Sequence, residues 1–394
     1  MTLPSRSLNP PAHTARPVKF VHTQASLLLD VVRSLAAFIV LTEHCRNIFF
    51  VNFSQLTKFK AGFFLPYLLV SAGHQAVVVF FVLSGYLISG SVFRLFREDR
   101  WSWRKYLLHR LLRLWIVLLP GIIITDVADR IGMSLRSPGA ISLYSGHSGD
   151  HVVGVVFASS SFLTAVGNFF FLQGIKVFPF GSDGALWSLA NEFWYYILFP
   201  LAFIALRRKS APLTRLMHAA LFLSTAFFVR HNILKGFPIW LLGTLLAAIR
   251  PPRLGAAVRW IAAPIYALIF YSFARVPQLQ GGWADQVLGL VTFVFLWIIL
   301  SANAQADENT LPARSTRLFA RFSYTLYVAH TPILVLAAAL ILGSNRWQPD
   351  APHIAVALGI LVFVVGLCLL LASQTEFRTD AIRMAVERRL HLVV

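Results

Sequence analysis

The chain has 394 residues, 57% of them hydrophobic and only 13% charged, with a mean hydropathy of +0.68. Soluble domains carry about 25% charged residues, so this composition excludes a soluble protein; apolar runs recurring from Leu27 to Ser373 predict an all-α, polytopic transmembrane helix bundle. The net charge of +19 resembles that of a nucleic-acid binder, but most basic residues lie between apolar runs, where membrane topology puts them, and no nucleic-acid partner is expected.

Residues 1–25 hold four prolines and no apolar core, which reads as a flexible cytoplasmic tail rather than a cleaved signal peptide. About ten spans follow, at roughly 26–45, 72–93, 110–128, 184–206, 216–230, 236–250, 260–275, 286–303, 322–343 and 353–373. The fifth and sixth are short enough to be tilted or re-entrant. Between the third and fourth, at about 129–183, comes a polar stretch bearing Gly and His, then the apolar run SFLTAVGNFFFLQGI, which can lie in the interface or dip into the membrane. Residues 26–376 form the membrane domain, and 377–394 read as an amphipathic helix on the inner surface. The two cysteines, Cys45 and Cys368, are too few for a disulfide framework. With the N-terminus inside, the inner segments hold 24 Lys and Arg against 10 in the outer ones, which predicts both termini in the cytoplasm.

The first span, DVVRSLAAFIVLTEH, carries four ionisable groups. At about 100° per residue, the eleven residues from Arg33 to His44 complete three turns plus roughly 20°, a rise of about 16 Å. Asp30 stands at i, i+3 to Arg33, so Asp30, Arg33 and His44 share one face while Glu43 points about 100° away. An Arg near the centre of a lone membrane helix costs on the order of 3 kcal/mol, so this row should face protein or water. In the second span, Ser84 and Gly85 suit either close helix packing or a ligand contact. Arg110 and Arg113, one turn apart where the third span begins, suit bidentate phosphate contacts, or topology signalling and anionic headgroups. In LWSLANEFWYYILFP, the Glu192 carboxylate needs a partner from another span, such as a histidine or arginine. On the ninth span, Tyr327 and His330 stand at i, i+3; a His before Pro332 can also satisfy a kinked backbone.

Together these motifs make the chain resemble the acyltransferase-3 family of integral membrane acyltransferases, which includes bacterial O-acetyltransferases of surface polysaccharides. The resemblance covers about 26–376. It rests on Asp30, Arg33 and His44, on Phe80, Phe81, Ser84 and Gly85, on Arg110 and Arg113, on Trp187, Ser188, Leu189 and Glu192 with Tyr196 and Pro200, and on Ser323, Tyr324, Leu326, Tyr327, His330 and Pro332. Val78, where family members often carry an acid or amide, and Ile116, where many have a proline, depart from the pattern.

The resemblance implies transfer of an acetyl or other short acyl group from cytoplasmic acetyl-CoA to a hydroxyl of a surface polysaccharide or lipid-linked glycan. It also implies residence in the bacterial inner membrane and partnership with polysaccharide-synthesis machinery. On this reading His44 is the general base, oriented by Glu192 or Glu43, and Arg33 with Asp30 shapes the donor entrance. Arg110, Arg113, Ser84 and Gly85 bind the acetyl-CoA co-substrate, and Trp187, Tyr324, Tyr327 and His330 bind the acceptor. No metal is expected. A secondary transporter or flippase is the alternative, since intramembrane charges also mark substrate pathways; it predicts paired broken helices and related halves, which the sequence lacks.

Overall fold

In the computed structural model, the described residues are 23–144, 156–276, 279, 282–302, 304–307, 310–343 and 345–391. The expected N-terminal tail up to residue 22, the polar stretch at 145–155 and the last three residues lie outside them. Among the described residues the elements are α-helical with no strand. In chain order they are α1 (Gln24–Phe49), α2 (Phe64–Leu69), α3 (Gly73–Arg97), α4 (Trp103–Ser134), α5 (Pro138–Tyr144), α6 (Val156–Ser159), α7 (Phe162–Phe169), α8 (Leu186–Leu206), α9 (Pro212–Leu234), α10 (Phe237–Ala248), α11 (Ala256–Arg275), α12 (Ala284–Ile299), α13 (Leu311–Ile341), α14 (Ala351–Gln374) and α15 (Thr379–Arg389).

Eight helical segments are long and apolar enough to cross a membrane, and α10 and α12 are shorter apolar helices. Each of the ten expected spans has a counterpart. The differences lie at the short ones. The fifth span is a full 23-residue α9, broken near its end at Arg230, whose φ of 63° is a left-handed geometry unfavourable for a side chain. Only 12 residues form α10 and 16 form α12. At 1.5 Å per residue, α10 rises about 18 Å, too little to cross a hydrocarbon core of about 30 Å alone. It is tolerated because it is packed against α3 rather than presented to lipid along its length.

Cross-links fix the run of the chain. The start of α1 bonds the segment after α12 (Gln24 N–H to Ala304 O, 2.8 Å), and its end bonds the α13–α14 connection (Trp347 N–H to Phe49 O, 2.8 Å). Thr23 caps the first turn by accepting from Ser26 N–H. The first of these ends lies at the terminal face of the bundle, and the second at the far face. His74 at the start of α3 pairs with Asp285 at the start of α12 (2.8 Å) on the far face, while the Trp297 indole donates to the Arg250 carbonyl (3.1 Å) at the ends of α12 and α10. Both short helices therefore run between the two faces. The described chain starts at the terminal face, and α15 returns there, bound to α4 through His109 and Glu387.

The core is organised around α13, which packs on α1, α4 and α14, and around the α3–α10 crossing. The apolar run after residue 160 does not cross: α7 exposes Phe162 and Leu163 and is pinned at its end, where the Trp115 indole donates to Phe169 O (2.9 Å) and the Trp194 indole to Phe171 O (2.8 Å). Where α3 meets α10, the absence of side chains at Gly85 and Gly243 brings the backbones together. A Cβ on Gly85 would collide with the Trp240 carbonyl, and one on Gly243 with that of Val82. Gly243→Ala should therefore cost about 1–3 kcal/mol of stability, as overpacking does, read as an earlier thermal unfolding in detergent. An unchanged unfolding temperature would mean the crossing can relax.

Candidate active site

Helices α1, α3, α4, α8 and α13 enclose a cavity with about 820 Å³ of empty space, counting its open side. The terminal-face end is cationic. Arg33 of α1 and Arg113 of α4 both line it, and each acts electrostatically on the other. Arg113 is exposed by surface area yet enclosed by protein, so its open surface is cavity wall rather than outer surface. Asp30 is 3.9 Å from Arg33, the pairing that their i, i+3 spacing predicts, and it does not line the cavity.

A second carboxylate reaches this end from an unexpected place. Glu376, in the turn after α14, accepts from Thr325 N–H (3.0 Å) and Oγ1–H (2.8 Å), and acts electrostatically on both Arg33 and Arg113. Cations enclosed within a helix bundle need such partners, because their desolvation otherwise goes uncompensated. Nothing in the local sequence around Glu376 marks it, since it lies beyond the last span.

Midway, Glu192 of α8 supplies another carboxylate. It accepts from the Ser84 hydroxyl of α3 (3.1 Å) and from Tyr196, one turn further along its own helix. Ser84 in turn accepts from the Trp240 indole (3.2 Å). Arg113 also feels Glu192, Tyr196 and Tyr324, so the guanidinium and carboxylate parts of the lining form one polar column. The partners of Glu192 are thus hydroxyls, with an arginine in electrostatic reach; no bond joins it to a histidine among the described residues.

Toward the far face the column continues through Tyr327 and Ser188, whose hydroxyls are 2.6 Å apart and both line the cavity. Beyond Tyr327, 6.2 Å between ring centroids, lies His330. Its Nε2 is 2.8 Å from Nδ1 of His44, the rings 19° from parallel, and Thr331 Oγ1 is 3.3 Å from each of these nitrogens. His330 is 1% exposed. Glu43 turns the other way, as the helix geometry requires, and lies against Gly73 at the start of α3, where the helix dipole favours a carboxylate. It makes no bond to His44 among the described residues.

The cavity therefore brings together Arg33, Arg113, Ser84, Glu192, Tyr324 and Tyr327; His44 and His330 do not line it and stand behind its Tyr327 wall. Of the other expected site residues, Arg110, Gly85 and Trp187 do not line it either. Arg110 lies over the rings of Tyr106 (5.5 Å) and Tyr196 (5.9 Å) and donates to Ser91 Oγ (3.2 Å). Gly85 makes the α3–α10 crossing. Trp187 is 37% exposed on the far face, stacked on His74 with centroids 6.3 Å apart. Sequence reading missed Glu376 and the contacts of Thr331 and Ser188. Ser188 enters the sequence reading only as part of a family motif; its place on the same face as Glu192, at i, i+4, could have marked it as a lining residue.

Such an arrangement is a multi-pass membrane site with guanidinium groups near one face and a pair of imidazoles toward the other. The chain belongs to the acyltransferase-3 family: the model of that family, described as an acyltransferase domain, matches residues 27–373. No curated protein and no solved structure matches the chain significantly. The protein is thus a membrane acyltransferase.

Proposed function

We propose that the protein transfers an acetyl group from acetyl-CoA to a hydroxyl of a surface polysaccharide or lipid-linked glycan, with His44 as the general base. One observation carries this reading: a single cavity has two guanidinium groups at its terminal-face end and is walled toward the other by Tyr327, whose ring lies 6.2 Å from that of His330 in the His44–His330 pair. The excess of Lys and Arg on the terminal-face side supports a cytoplasmic orientation for that face in a bacterial inner membrane. The CoA phosphates then meet Arg113 and Arg33, and the pantetheine arm runs along the cavity past Ser84 and Tyr327. From Arg33 to His44 the helix rises about 16 Å, so the thioester reaches the imidazoles without the donor leaving the cytoplasmic side. The acceptor approaches from the far face, past Trp187. His44 takes the hydroxyl proton as the oxygen attacks the thioester carbonyl; the C–S bond breaks, and the departing thiolate takes that proton back.

The test is to incubate purified protein in vesicles with labelled acetyl-CoA and a panel of oligosaccharide acceptors. Label should appear on the acceptor in a reaction that requires His44. Uptake of label into vesicles without acylation would instead make the protein a transporter.

The balance of charge at the donor end leads to a further expectation. Glu376 competes with any incoming anion for Arg33 and Arg113. Glu376→Gln keeps an acceptor for Thr325 but removes the charge, so the KM for acetyl-CoA should fall at least about threefold, a modest share of one screened charge interaction. An unchanged or raised KM would show that the arginines do not meet the donor's phosphates.

A further inference from the structure

The contact between His44 and His330 has a definite proton arrangement. His330 Nδ1 is 2.7 Å from the carbonyl oxygen of Leu326, one turn back on α13. A carbonyl oxygen only accepts, so Nδ1 carries a hydrogen. In a neutral imidazole the other nitrogen then presents a lone pair. That nitrogen, Nε2, faces His44 Nδ1 at 2.8 Å. Two lone pairs do not share so short a separation, so His44 Nδ1 carries a hydrogen and donates it. What is left on His44 is an unprotonated Nε2.

Repair of the proline kink does not account for His330. Pro332 lacks the N–H that would bond the carbonyl four residues back, that of Val328, whereas His330 addresses Leu326. Nor is His330 a bystander filling space, since both of its nitrogens are engaged while the ring is 1% exposed. Among the described residues no carboxylate bonds either ring.

We propose that His330 is a positioning residue: through the chain from the Leu326 carbonyl to His330 to His44, it fixes the tautomer of His44 and leaves Nε2 as the base. This rests on the reading of His44 as the general base. When the acceptor oxygen bonds to the acyl carbon, its proton moves to His44 Nε2. The Nδ1–H of the resulting imidazolium still donates to His330 Nε2, now as a stronger charge-assisted bond. The C–S bond breaks and the thiolate recovers the proton from Nε2, restoring the neutral pair. With no carboxylate bonded to it among the described residues, the imidazolium returns the proton readily.

The experiment combines variants with a spectroscopic readout. His330→Leu removes the acceptor, frees His44 to take the other tautomer, and should lower transfer about 100-fold or more, the scale of general-base catalysis. His330→Gln returns an acceptor oxygen near the position of Nε2 and should restore transfer to within about tenfold of the starting protein. Histidine ¹⁵N solid-state NMR of the protein in bilayers, with the His44 signals assigned by their loss in His44→Ala, should show Nδ1 protonated and Nε2 bare. A proton on His44 Nε2 in the resting protein, or full activity in His330→Leu, overturns the proposal. If His330→Leu does not fold, the His330→Gln activity and the NMR of the starting protein decide. The two readings fail separately: transfer surviving in His44→Ala refutes the general base, whereas an inactive His44→Ala beside a fully active His330→Leu refutes only the pairing.

Discussion

His44→Ala abolishes acetyl transfer while the protein still folds in the membrane; this is the largest effect expected from a single substitution. General-base catalysis contributes roughly 100- to 10,000-fold, and a protein without the base retains only the benefit of holding donor and acceptor together. The fold should survive. His44 contributes a hydrogen bond to His330, a 3.3 Å contact with Thr331 and a partly buried ring, against a helix held by a long apolar contact with α13 and α3. Transfer is measured with labelled acetyl-CoA, and folding by elution as a single species in detergent and an unchanged unfolding temperature to within a few degrees. Full activity in the variant removes His44 from the chemistry.

Arg113→Ala raises the KM for acetyl-CoA about 10- to 100-fold, the loss of a charge-assisted contact of roughly 1.5–3 kcal/mol, with a smaller change in kcat. Arg110→Ala behaves differently, although it belongs to the same Arg-x-x-Arg pattern. Its guanidinium is committed to Tyr106, Tyr196 and Ser91 and does not line the cavity, so its removal costs thermal stability more than donor affinity. Steady-state kinetics over a range of acetyl-CoA concentrations separates the two. Equal effects on KM would mean that the phosphates lie outside the cavity, across both arginines.

The contrast between the two arginines shows where sequence reading stops. Their spacing puts them one turn apart on α4, and a cationic patch beside a membrane span follows from that alone. Which of them opens into a cavity depends on what packs against each, and that is set by α3, α8 and α13, distant in the chain. The same holds for the small residues of α3. Ser84 and Gly85 are neighbours in sequence, but one bonds Glu192 and the other touches the Trp240 backbone, because successive helix residues point about 100° apart.

What the sequence by itself determined was the all-α, polytopic membrane architecture, the family, and the local pairs within one helix: Asp30 with Arg33, and the separation of Arg33 from His44. These are legible because lipid demands continuous apolar runs with internally satisfied backbones, and because helical periodicity fixes which residues share a face over a few turns. Only the tertiary structure decided the partners. His44 meets His330, 286 positions later; Glu192 meets Ser84, 108 positions earlier; and Glu376 comes from beyond the last span to balance Arg33 and Arg113. Periodicity within a helix leaves its rotation and its neighbours open. Those are settled by close packing at the α3–α10 and α1–α13 contacts, and by the cost of leaving a buried charge or imidazole without a partner.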